Sequence, residues 1–143
     1  MKTITASNAV LILTVEDLYP SGVEIQKFSA DAAFASSDVT LAETRMGVDG
    51  KIAAGYTPSI IPLNISLEAD SDSYEVMLNI LERQQVNQTC YKCTVQVSIP
   101  SLGKEFTFES GVMKTGHPMP DAKKVLDPTS WGFEFESMHS SSI

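Results

Sequence analysis

Apolar and polar positions alternate with a period of two over most of this chain, and only one stretch departs to a helical period. Ala9–Val15 (AVLILTV) is continuous and β-branched, and reads as a buried strand. Tyr19-Pro20-Ser21-Gly22 reads as a turn, and Val23–Phe28 alternates as a second strand. Ser29–Ser37 is rich in Ala and Ser, as expected of a loop or a single helical turn. From Val39 to Asp70 the chain forms three extended segments. The first two join at Val48-Asp49-Gly50, because Asp-Gly between extended residues is a strong hairpin signal. A second turn is expected at Gly55-Tyr56-Thr57-Pro58. The third segment places Ile61, Leu63, Ile65 and Leu67 on one face and Pro62, Asn64, Ser66 and Glu68 on the other. Pro62 is tolerated only where its missing N–H meets an edge or a strand start.

The helical period runs from about 71 to 88. Asp70 and Ser71 are N-cap types, and Asp72 and Glu75 suit the positive end of the helix dipole. Tyr74, Met77, Leu78 and Leu81, with Ile80 beside them, form the expected buried stripe. Tyr91–Ile99 then alternates with Cys93, Val95, Val97 and Ile99 inward. Pro100–Gly103 turns, and Glu105–Val112 returns with Phe106 and Phe108 inward. Met113–Pro128 reads as a long irregular stretch. Trp131, Phe133 and Phe135 alternate in a last strand, and the Ser-rich residues 138–143 read as a mobile tail. About seven or eight short strands with one helix predict a mainly β, antiparallel sandwich or barrel with one flanking α-helix. At 143 residues this is a single domain, with a hairpin arm at about 39–58.

One part of this order resembles a known family. The extended arm Thr44-Arg45-Met46-Gly47-Val48-Asp49-Gly50-Lys51, the Gly-Tyr-Thr-Pro turn, the strand and the amphipathic helix are similar to those of tail tube proteins of contractile-tailed bacteriophages. The likeness in element order spans about Ala9 to Ser137. It implies a small β-sandwich or barrel that closes into hexameric rings, which stack into a hollow conduit for DNA. It implies partners in the tail sheath, the baseplate and the tail terminator, and a place in the virion tail after assembly in the host bacterial cytoplasm. Ring-to-ring contact is expected at the hairpin, through Arg45, Met46, Val48, Asp49, Gly50 and Lys51. The tube of a phage-derived injection or secretion machine would share the fold.

Charge sharpens the picture. The chain carries 18 acidic and 10 basic residues, a net charge of −8. That disfavours broad adhesion to nucleic acid or to a membrane surface, which needs a basic patch. It suits a channel wall that DNA passes without specific binding. Carboxylates on polar strand faces include Glu68, Glu105, Glu109, Glu134 and Glu136. The candidates for a lumen are Glu24, Glu43, Glu68, Glu134 and Glu136. No run approaches the ~20 apolar residues of a membrane span, and Ala9–Leu13 lacks the flanks of a secretory signal. The sequons at Asn64 and Asn87 are then chance matches.

Candidate chemistry is sparse. Cys90-Tyr91-Lys92-Cys93 is a CxxC, but zinc wants four ligands, and His117 and His139 have no paired spacing. A redox site would place the first Cys at a helix N-terminus, whereas here a strand follows. Cys93 reads as a small buried hydrophobe, and two cysteines make no disulfide framework. His117 lies in a loop with no nucleophile elbow. The Asp70–Ser73 cluster lacks the Gly and the later Glu of a calcium loop. No metal, cofactor or enzymatic activity is expected. A β-sandwich binding module is the rival from another class, but its usual aromatic platform is missing, since Trp131 alternates into the core. A thiol enzyme using Cys90 and Cys93 is a further rival.

Overall fold

A computed structural model describes residues 9–26 and 34–143. Residues 1–8, the end of the expected second strand and the first part of the Ser29–Ser37 stretch lie outside them. The elements are β1 (Val10–Val15), β2 (Tyr19–Ile25), β3 (Phe34–Ser36), β4 (Ala42–Met46), β5 (Ile52–Tyr56), β6 (Ile61–Leu67), α1 (Ser73–Asn87), β7 (Cys93–Ile99), β8 (Lys104–Gly116) and β9 (Thr129–Ser142). Seven strands form one antiparallel sheet in the order β2-β1-β7-β8-β9-β6-β3, and β4-β5 stand apart as a hairpin. This is the mainly β architecture with one helix that the alternation predicts.

The large sheet folds over on itself because its two longest strands change face midway. In β8, Phe106 and Phe108 point inward, and then Gly111 and Met113 do. The switch falls at Ser110, which holds φ +56°, where the register against β7 slips by one residue. In β9, Trp131, Phe133 and Phe135 point inward, and Met138 takes the inward register position opposite Phe108. A bulge that inverts the pleat turns a strand from one sheet layer into another. The first layer is β2-β1-β7 with the start of β8 and the end of β9. The second is β3-β6 with the end of β8 and the start of β9. Leu11, Leu13, Val95 and Val97 from the first layer share one core with Leu63, Ile65, Trp131 and Phe133 from the second.

Several expectations shift. The first turn is at residues 16–18, with Asp17 at φ +71°, and Pro20 and Gly22 lie inside β2. Pro20 is acceptable there because β2 is an edge strand, where a missing N–H breaks no ladder bond. β1 is buried on one face only, since Ile12 is partly exposed on the other. Pro62 lies just beyond the reach of β3, which covers Leu63 to Ile65. Met113–Gly116 continues β8, so the irregular stretch begins at His117. The residues 138–143, expected as a mobile tail, are mostly strand. β9 runs to Ser142, pairs with Lys104 at its end, and Ile143 N–H donates to Gly103 O. A run of serines has little to bury, but the ladder to β8 satisfies its backbone.

α1 spans the gap between β2 and the far half of β8. Its fully buried positions are Ser73, Met77 and Ile80, so the stripe is centred one position away from Tyr74, Leu78 and Leu81. Polar residues at its ends hide that axis in the sequence, and both are bonded. Gln26 N–H donates to Ser73 Oγ at 2.8 Å, and Ser71 Oγ donates back to Gln26 O. Gln84 Nε2 donates to Met113 O at 3.2 Å, on the stretch of β8 that has no β7 partner. A helix side chain thus stands in for a strand on an otherwise open edge. Ser71 Oγ also accepts from Ser73 N–H at 3.2 Å and starts the helix, while Asp72 makes no side-chain cap. Trp131 is fully buried with its indole N–H on Thr129 Oγ1 at 3.1 Å, as a buried donor requires.

The corner has no slack. A Cβ at Gly111 would stand 2.2 Å from Phe135 Cδ1 and 2.7 Å from the Glu134 carbonyl oxygen. Gly111→Ala should therefore destabilise the fold by roughly 2–4 kcal/mol, at the costly end of overpacking because backbone is in the way. Urea unfolding reads this directly. A change within about 0.5 kcal/mol, the range of an ordinary surface substitution, would show that the corner is not a constraint.

Candidate functional site

The hairpin β4–β5 is the first candidate surface. Its register pairs Ala42 with Tyr56, Glu43 with Gly55, Thr44 with Ala54, Arg45 with Ala53 and Met46 with Ile52. Ala42, Thr44, Met46, Ile52, Ala54 and Tyr56 therefore share one face, and Glu43, Arg45, Ala53 and Gly55 the other. Every residue of both strands is exposed. At the tip, Gly47 N–H donates to Lys51 O at 2.8 Å, Gly50 N–H to Gly47 O at 3.0 Å, and Lys51 N–H to Asp49 Oδ1 at 3.1 Å. Gly50 takes φ +81°, which glycine tolerates without strain. The tip is thus a formed turn, with Val48 standing fully clear of the protein. The turn places Arg45, Met46, Val48, Asp49, Gly50 and Lys51 together at the end of the arm, with Arg45 and Met46 on opposite faces.

The second surface is the outer face of the first sheet layer. The register lines up Glu24, Ile12, Gln96, Thr107 and His139 as one row across five strands. Val10, Ser98, Glu105 and Ser141 form the next row on the same face, and Thr14, Thr94, Glu109 and Ser137 lie beyond the first. None of these positions is Lys or Arg. His139 Nε2 lies 3.9 Å from Glu109 Oε2, and both side chains are well exposed.

The five carboxylates singled out by sequence do not share a face. Glu24 lies on the row just described. Glu43 is on the hairpin. Glu68 follows β6, and its carbonyl accepts from Ser71 N–H. Glu134 and Glu136 are on the outside of the second layer, and Glu134 is paired with Lys114 at 2.8 Å. The carboxylates that join Glu24 are Glu105 and Glu109. They are visible in sequence as strand residues, but only the register across five strands puts them on one surface.

The thiols stay apart from both surfaces. Cys90 is exposed and Cys93 buried, and neither is in a disulfide. Burial pushes the Cys93 thiol up to about 11, against a smaller lowering by the Met113 backbone. A thiol held neutral is a poor nucleophile. Among the described residues no three His, Cys, Asp or Glu side chains gather in a way that could hold a metal ion. His117 does meet an acid, Asp121, at 3.3 Å in the exposed loop. Farther along that loop, the Asp127 hydrogen bond and charge hold the Lys123 ammonium above its usual range at 2.9 Å. Among the described residues no helix is long and apolar enough to cross a membrane.

Residues 2–139 match the family described as tail fiber protein gp32. The chain belongs to that family, and it is a phage-type tail structural protein with a tail-tube-like fold. The fold recurs in a chain of the 6-fold symmetrised baseplate of the anti-feeding prophage, at 12% identity and TM-score 0.67, covering 99% of this chain and 98% of that one. It recurs in a chain of the PVC sheath-tube complex of an extracellular contractile injection system, at 10% identity and TM-score 0.61, covering 93% and 88%. A chain of the tube-terminating cap of the anti-feeding prophage matches at 10% identity and TM-score 0.59, covering 100% and 93%. No curated protein matches the sequence.

The thiols give a direct check. In the folded protein at pH 8 a maleimide should label Cys90 and leave Cys93 untouched. Because the folded Cys93 keeps its proton to about pH 11 while an unfolded thiol loses it near 9, the unfolded state binds fewer protons between those values. Stability should therefore fall as pH rises from about 9 to 11, by roughly 1–3 kcal/mol. The part of this slope due to Cys93 should vanish in Cys93→Ala. An unchanged slope in that variant would contradict the assignment.

Proposed function

We propose that this chain is the repeating subunit of a tail tube: a structural protein, without catalysis or cofactor, whose hexameric rings stack into a conduit for DNA. The observation that carries the reading is the outer face of the first sheet layer. It is a broad, mainly polar surface of Ser, Thr, Gln, Glu and His around Glu24, Glu105 and Glu109, interrupted by Ile12 and Val10 and without a Lys or Arg at its register positions. Duplex DNA carries about one negative charge per 1.7 Å of axis, so a cationic wall would hold it along its whole length. Facing inward, this surface repels phosphate weakly and offers hydroxyls and amides that water can replace. Repulsion between subunits across a wet channel is screened within about 8 Å at physiological salt. In this arrangement α1 and the second layer lie outside, toward a sheath, and the hairpin reaches the next ring. Baseplate and terminator proteins cap the two ends.

The likeness to a chain of the anti-feeding prophage baseplate favours a second reading, in which the chain forms the ring where the tube meets the baseplate. Under that reading a protein cargo could replace DNA in the channel.

Two variants test the proposal. Replacing Val48–Lys51 by a minimal Asn-Gly turn should keep the fold and abolish stacking, leaving single rings in electron micrographs. Long tubes from that variant would remove the hairpin from the contact. Lysine at Glu24, Glu105 and Glu109 together should leave tubes intact in assembled particles but slow DNA release, most at low salt. Unchanged release at low salt would show that the face does not line the channel.

A further inference from the structure

We propose that β4 is a self-pairing edge, through which two copies of this chain join about a two-fold axis centred on Thr44. The two edges of the large sheet resist such pairing. β2 carries Pro20 and a register irregularity against β1, and among the described residues β3 pairs over three residues. β4 has neither proline, glycine nor bulge, its residues are exposed, and among the described residues no strand pairs with its outer edge. A two-stranded hairpin alone is marginal in water, and adding strands is what stabilises it.

The backbone decides which residues can pair. Leu41 O accepts from Thr57 N–H at 3.0 Å, and Gly47 N–H donates to Lys51 O at 2.8 Å. The ladder to β5 therefore uses odd-numbered residues of β4. Successive residues of an antiparallel strand turn their N–H and C=O groups to opposite edges. Ala42, Thr44 and Met46 thus present theirs outward, and a docking strand must bond to these. For β4 against a second β4, antiparallel registers centred on Glu43, Thr44 or Arg45 all bring even residues together.

Charge then chooses among the three. Centring on Glu43 sets two carboxylates opposite each other, and centring on Arg45 sets two guanidiniums opposite. Centring on Thr44 sets Glu43 of each copy opposite Arg45 of the other, and Ala42 opposite Met46. Glu43 and Arg45 then occupy non-hydrogen-bonded positions, where facing side chains come closest. On the other face, Ala42, Met46, Ile52, Ala54 and Tyr56 of both copies form a mostly apolar strip across four strands, with the two Thr44 side chains side by side at its centre. The outer edge of β5 offers Ile52, Ala54 and Tyr56, with no charge to set a register.

A two-fold contact of this kind closes on itself and does not propagate. It holds the hairpin away from any end-to-end stack until the pair opens, which gives a soluble resting form. The contact does not depend on the tube reading, since it needs only the edge and its charges.

Native mass spectrometry of the full chain at low salt tests it. The wild type should show a dimer. Glu43→Arg and Arg45→Glu, each alone, place like charges in both cross-strand pairs and should weaken the dimer about tenfold or more. An equimolar mixture of the two variants should restore a 1:1 heterodimer of wild-type strength. A wild type without a dimer, a dimer undiminished in either variant, or a mixture that stays as weak as its components would each overturn the proposal. Rings or tubes seen alongside bear on the proposed function and leave these readings unchanged.

Discussion

The shared bend of β8 and β9 is the constraint on which the rest of the molecule depends. Both strands are long enough, at 13 and 14 residues, to serve two sheet layers. They change face at the same level, one at Ser110 and the other just after Phe135. Gly111 lets the aromatic ring of Phe135 lie directly on the β8 backbone, and Phe108 packs on that ring from the first layer at 5.3 Å between centroids. Without this corner the seven strands would be a flat sheet with two wet faces. With it, one face of each layer is buried against the other, and the opposite faces are released as broad outer surfaces. The polar face that carries Glu24, Glu105 and Glu109 is a direct product of that folding-over.

The helix completes the arrangement at the one place where the bend leaves backbone unpaired. β7 stops matching β8 at Gly111, so the far half of β8 has an open side. Gln84 and the N-terminal serines bond α1 to β8 and to the end of β2. A helix seated by hydrogen bonds to backbone at both ends is fixed in position as well as in depth. By contrast, every residue of the β4–β5 arm's two strands is exposed, and no other described strand pairs with it. Among the described strand residues, its Met46, Ile52 and Tyr56 are the most exposed large apolar side chains.

Much of this was legible in the sequence, and the parts that were not share a cause. Alternation located Leu63, Ile65 and Leu67, Cys93 to Val97, and Trp131 to Phe135, because burial on one face of a strand imposes a period of two. Asp49-Gly50 located the hairpin turn, since few dipeptides accept its backbone. The face switch in β8 was hidden because a bulge leaves only a one-residue slip in a pattern that glycine and serine already blur. Pro20 and Gly22 read as a turn because sequence does not say that a strand will lie at an edge. The serine-rich end of β9 has no apolar signal at all, and its pairing comes from the neighbouring strand. The grouping of carboxylates was hidden for a related reason: Glu24, Glu105 and Glu109 are far apart in sequence, and only lateral register makes them neighbours. The fold itself recurs in chains whose sequence identity has fallen to 10–12%.

The central claim is that the polar outer face of the first sheet layer is the wall of a channel. A cryo-electron microscopy reconstruction of the assembled protein measures this most directly. The account predicts six-fold rings in which Glu24, Gln96, Thr107 and His139 face the axis and α1 lies on the outside. Rings with the helix lining the axis, or with lysine and arginine side chains along the wall, would contradict it.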